Sequence, residues 1–184
     1  MSNLTLQVQR RGDRLGLKGP RAAEWLLVQG VVVPTAANSW THTAEMSADD
    51  ALLVARLGTT EFFLEEGTRG TTLERIAPSL GSQPSGVYPV LREDWALQLA
   101  GERVHEVLAQ VCNVNFAALS TDSWPLVMTL MIGVAVLVVP QGRARDATRR
   151  QYRIWCDPTF GPYLADSLGA VVVECGGRYT GDLQ

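Results

Sequence analysis

Leu15-Gly-Leu-Lys-Gly-Pro-Arg-Ala-Ala-Glu-Trp-Leu26 can be laid on Leu97-Gln-Leu-Ala-Gly-Glu-Arg-Val-His-Glu-Val-Leu108, so that Leu15, Leu17, Gly19, Arg21, Glu24 and Leu26 match Leu97, Leu99, Gly101, Arg103, Glu106 and Leu108. In each copy, leucines alternate as on a strand, a glycine allows a turn, and apolar residues then recur at helical spacing. The repeated unit reads as a strand followed by a helix. In the second copy Val104, Val107, Leu108 and Val111 fall at i, i+3, i+4 and i+7, while Glu102, Arg103, Glu106 and Gln110 take the other face, a stripe suited to packing on a sheet.

Outward from these copies, residues 51–57 and 61–64 read as two strands joined through Gly58-Thr59-Thr60, with a short helix over 72–77 to follow. The second half shows the same plan. Residues 126–131 and 134–139 form a strand pair around Gly133, and 152–156 forms another strand. Phe160, Tyr163, Leu164 and Leu168 line a helix that Asp157-Pro158 opens, and residues 170–174 read as a closing strand, with Gly176-Gly177 turning into a tail. The order predicts an α+β fold of two ferredoxin-like split βαβ halves, about 1–80 and 90–184, within one domain over 1–184. Gly67 to Pro89, rich in glycine, serine and proline, is the expected linker between them.

A chain of 184 residues with 46% hydrophobic and 19% charged residues can bury a sizeable core without a staple or metal. Its net charge of -3 argues against nucleic acid as a partner, because phosphate binding needs a basic face. Lys18 is the only lysine, so arginine supplies the other cations, a skew expected from genome composition. Cys112, Cys156 and Cys175 form no CxxC pair and are expected as buried thiols of a reducing compartment. The apolar run 126–139 lies between Pro125 and Pro140 and is too short to cross a membrane, and the N-terminus lacks the pattern of a secretory signal. These features place the chain in the cytoplasm.

No catalytic or metal-ligating constellation emerges. The two histidines, His42 in a polar loop and His105 on the expected exposed face of a helix, have no local partner motif, and neither a dinucleotide nor a nucleotide phosphate cradle occurs. No residue can be assigned to a cofactor. Arg143, Arg145, Arg149 and Arg150 make a basic loop, which reads either as a solvated tip or as a docking surface for an acidic partner. Pro34, Asn38 and Trp40 belong to a stretch with little periodicity. There Trp40 reads either as an exposed partner-interface anchor or as a residue buried under its own loop.

The stretches Leu17 to Leu26, running into Val33-Pro34 and Asn38-Ser-Trp40, then Arg56 to Leu64, then Leu97 to Cys112 with the strand and helix of Tyr152 to Leu168, resemble the sarcosine oxidase gamma subunit family, related to the folate-binding domain of aminomethyltransferases (glycine cleavage T-protein). The resemblance implies one compact aminomethyltransferase-like domain and an accessory, non-catalytic subunit of a flavoenzyme that oxidatively demethylates sarcosine or a related N-methyl amino acid. It also implies larger alpha and beta subunits as partners, which carry the FAD, FMN, NAD and tetrahydrofolate. The alternative is a stand-alone folate-binding or aminomethyl-transfer protein, in which Arg56, Arg92 and Arg153 are candidates to hold the acidic tail of folate.

Overall fold

The computed structural model describes residues 3–9, 12–43, 51–120, 123–141 and 150–181. The chain divides into two compact units, one of Arg11–Glu93 and one of Met1–Arg10 with Asp94–Gln184. The fold is α+β, with four α-helices and two sheets among the described residues.

The 11–93 unit contains β2 (Arg14–Lys18), α1 (Ala22–Val28), β3 (Ser39–His42), β4 (Leu52–Arg56), β5 (Glu61–Glu66), α2 (Thr72–Leu80) and β6 (Tyr88–Val90). Its sheet has the order β3-β4-β5-β2-β6, and every neighbouring pair is antiparallel. Leu17, Phe62 and Leu64 from the sheet meet Leu26 of α1 and Leu73 and Ile76 of α2 in one core. The expected linker is corrected here: α2 and the first two residues of β6 lie inside Gly67 to Pro89, which is part of this unit. Its glycines and Pro84 lie in short turns between elements, whereas Pro78 is inside α2 and Pro89 inside β6. Buried Glu66 fixes the start of α2 from outside the helix. One carboxylate oxygen accepts from the Thr72 amide at 2.7 Å and the other from the Leu73 amide at 2.8 Å, satisfying two N–H groups that the first helical turn leaves unpaired.

The other unit contains β1 (Thr5–Val8), β7 (Trp95–Ala100), α3 (Val104–Val111), β8 (Val127–Met131), β9 (Val134–Gln141), β10 (Gln151–Cys156), α4 (Gly161–Glu174) and β11 (Arg178–Thr180). Its strand order is β11-β1-β7-β10-β9-β8. β1 pairs antiparallel with β7 and parallel with β11, so the N-terminal strand of the sequence completes the sheet of the C-terminal half. Val104, Val107, Leu108 and Val111 of α3 are all buried, and with Leu164 and Leu168 of α4 they pack on Leu97 and Leu99 of β7. β8 and β9 are joined by Ile132 and Gly133 at φ 50 and 80, the two positive values that a tight type I′ hairpin turn requires.

Two expectations for the C-terminal end are corrected. Residues 170–174 belong to α4, because Leu164, Leu168 and Val172 continue one buried helical stripe. The closing strand is instead β11, and Gly176, at φ 77, turns the chain into it rather than into a loose tail.

The two echoed segments adopt the same local structure, β2–Gly19–α1 and β7–Gly101–α3. Gly19 and Gly101 have φ 126 and 128, which side-chain-bearing residues rarely adopt, and a Cβ at Gly101 would meet the Leu4 backbone at 2.7 Å. The matching arginines stand at the N-caps of α1 and α3, with ion pairs Arg21–Glu24 at 2.9 Å and Arg103–Glu106 at 2.6 Å. Each arginine also reaches the loop before the last strand of its own unit. The Arg21 amide donates to the Gly86 carbonyl at 3.0 Å, and the Arg103 guanidinium donates to the Cys175 carbonyl beside Gly176.

Candidate functional site

Pro34, Asn38 and Trp40 do come together, but as an internally braced corner. Pro34 is buried, Asn38 is exposed at φ 55, and Trp40 is only 4% exposed, paired with Ala55 across β3 and β4. The exposed-anchor reading of Trp40 is therefore corrected to the buried one. The Ser39 hydroxyl donates to the Ala36 carbonyl at 2.6 Å, and Arg56 ties the stretch down by donating to the carbonyls of Pro34 at 3.1 Å and Thr35 at 2.9 Å.

Arg56 also donates to the carbonyls of Gly58 and Thr59 while its guanidinium lies 5.5 Å from the Phe62 ring centre. It is a bracket between a loop and a hairpin turn. Arg92 donates to Glu61 at 3.2 Å and lies over Phe63, and Arg153 donates to Gln9 at 3.0 Å and lies over Trp155. The three arginines that the alternative reading offers as candidates for an acidic tail are thus already engaged. Of the basic loop, Arg143, Arg145 and Arg149 lie outside the described residues.

One polar pair was not legible in the sequence. His105 is half-buried rather than exposed, and its Nε2 lies 2.7 Å from the hydroxyl of Tyr152 on β10, with Phe116 edge-on to the Tyr152 ring. Burial, and secondarily Arg150, lowers the His105 pKa from its ordinary 6.5, while burial pushes Tyr152 up to about 12. A neutral imidazole beside a protonated phenol satisfies the contact with either tautomer, but it provides no activated nucleophile. Burial, with Asp94 and Asp157, likewise pushes the Cys156 thiol up to about 11, keeping it protonated at neutral pH. Cys112, Cys156 and Cys175 are all buried free thiols, and no group of three or more His, Cys, Asp or Glu is placed to hold a metal among the described residues.

Because His105 has a lowered folded pKa, its unfolded form takes up a proton first as the pH falls below about 6.5, and stability is lost from there toward the folded pKa. Thermal melts at about pH 7.5 and about 5.5 should therefore show a smaller acid-induced drop for His105→Gln than for the unaltered protein. Equal drops would mean that the imidazole is not the titrating group.

No protein-family model matches the sequence, and no curated protein matches it. Solved structures do match. One is a chain of heterotetrameric sarcosine oxidase from Corynebacterium sp. U-96, in complex with pyrrole 2-carboxylate, at TM-score 0.70 and 21% identity, covering 96% of this chain and 87% of that one. The chain has the aminomethyltransferase-like fold. The second match is the glycine cleavage system aminomethyltransferase T from Bartonella henselae, at TM-score 0.66 and 15% identity, covering 97% of this chain and 48% of that one. The aminomethyltransferase-like fold here thus spans about half the length of that enzyme. No helix among the described residues is long and apolar enough to cross a membrane.

Proposed function

We propose that this chain is an accessory, non-catalytic subunit, of the sarcosine oxidase gamma type, in a heteromeric flavoenzyme that oxidatively demethylates sarcosine or a related N-methyl amino acid. The observation that carries the reading is the two-way coverage, because the chain accounts for 87% of a chain from a heterotetrameric sarcosine oxidase but 48% of an aminomethyltransferase. Larger alpha and beta subunits are the partners, and FAD, FMN, NAD and tetrahydrofolate reside on them. Engagement of Arg56 by four carbonyls, and of Arg92 and Arg153 by neighbouring side chains, speaks against a folate tail held by these residues in this chain. The buried free thiols are in keeping with a cytoplasmic setting.

We also read each unit as a ferredoxin-like split βαβ half. The order β6-β2-β5-β4 supports this in one unit, with β3 added at the edge, and β11-β7-β10-β9 in the other, with β1 inserted and β8 added. The matching strand–glycine–helix segments support descent of both halves from one unit.

Purified alone, the chain should be colourless, with no flavin absorbance, and should not oxidise sarcosine. A yellow protein with turnover would overturn the reading.

A further inference from the structure

We infer that the outward face of the β8–β9 hairpin is the surface by which this chain docks on a larger partner subunit, through an uncharged aliphatic patch of that subunit. The inference rests on the accessory-subunit reading and adds the place of contact.

From Leu126 to Gln141 the sequence contains no charged residue. Along β8 the side chains alternate. Met131 enters the core, while Met128 and Leu130 point away from it, 54% and 61% exposed. Across the hairpin Met128 pairs with Leu137 and Leu130 with exposed Ala135, so four aliphatic side chains adjoin on one face. Trp124, just upstream, is 48% exposed.

The other sheet edges differ. β11 carries the charged Arg178 and β6 carries Pro89, both of which discourage strand association, and β3 carries polar Ser39, Thr41 and His42 in place of exposed aliphatic side chains. β8 carries neither charge nor proline, and among the described residues its outer edge is covered only at its end, where Cys112 bridges Met131 and the Ile132 amide donates to the Val111 carbonyl. A partner presenting charge here would bury it without a counter-charge, which costs several kcal/mol, so the complementary surface is apolar.

A second copy fits less well than a larger subunit. Each copy carries net charge -3, so two copies repel. Met128 and Leu130 together offer on the order of 200 Å², against about 800 Å² per partner in a stable complex. A larger subunit can extend the contact beyond the hairpin, as a two-fold pairing of the hairpin with itself does not.

The test co-expresses the tagged chain with the flavin-bearing larger subunits and compares Met128→Glu/Leu130→Glu with a control pair, Leu27→Glu/Val28→Glu, at another exposed apolar site. The hairpin pair should reduce co-purified flavoprotein by tenfold or more, on the order expected for loss of an interface centre, while the control pair leaves it unchanged. Melting temperatures confirm folding. If the glutamates unfold the hairpin, the milder Met128→Gln/Leu130→Gln pair reads the same surface. Retention of the flavoprotein by the folded hairpin variant, or equal loss with the control, overturns the docking site alone. A dimer of the isolated chain that the hairpin variant dissolves assigns the face to a second copy and overturns the inference. If the unaltered chain brings down no flavoprotein, the accessory-subunit reading fails and the docking site fails with it.

Discussion

Phe62→Ala should lower the unfolding free energy by about 3–5 kcal/mol, the range for deleting a fully buried aromatic ring. Phe62 is fully buried, sits opposite Leu17 across β5 and β2, and packs in the core that holds Leu26, Leu73 and Ile76. Its ring also carries the guanidinium of Arg56, so its loss removes the platform beneath the bracket that ties Pro34 and Thr35 to the turn at Gly58 and Thr59. Urea denaturation would measure the change. A loss below about 1 kcal/mol would show that this core collapses around the cavity and is not close-packed.

Arg14→Ala should cost a similar amount, about 3–5 kcal/mol, for an electrostatic reason. The Arg14 guanidinium lies 2.6 Å from the Glu65 carboxylate, and the two side chains are only 2% and 9% exposed. β2 and β5 place them directly opposite each other, so the pair is fixed by strand register. Removing the cation takes the opposite charge from beside a buried carboxylate, whereas Arg14→Met combined with Glu65→Leu removes both charges and should recover most of the loss. If the double variant is as unstable as Arg14→Ala, the cost comes from packing and not from the unbalanced buried charge.

The sequence reveals those parts of the structure whose signal is local and periodic. The stripe Val104, Val107, Leu108 and Val111 spans two helical turns, and all four residues are buried on α3. The echo of Gly19 and Gly101 was readable because a positive φ at a strand-to-helix turn selects glycine. Short strands were not readable in the same way. β1, β3, β6 and β11 have only three or four residues each, too few for an alternation to stand out, and Trp40 lies in one of them, so the sequence leaves its exposed and buried readings both open.

The run Val171-Val-Val173 favours a strand by local propensity, but Leu164, Leu168 and Val172 already commit it to the buried face of α4, and tertiary packing wins. His105 sits among Glu102, Arg103 and Glu106, which made its face look exposed. Its partner Tyr152 is 47 residues away, a contact that only the pairing of α3 with β10 brings about. The reach of Arg56 to the Pro34 and Thr35 carbonyls, 22 and 21 residues away, is hidden for the same reason, although its bonds to Gly58 and Thr59 are local.

The most direct test of the accessory-subunit reading is to tag this chain at its own chromosomal position, purify it under native conditions, and record the mass, absorbance and sarcosine oxidation of what elutes. The account predicts a stoichiometric complex with larger subunits, with a flavin spectrum and turnover that are both absent from this chain once it is separated from them. Elution of the chain by itself, colourless and inactive, would contradict it.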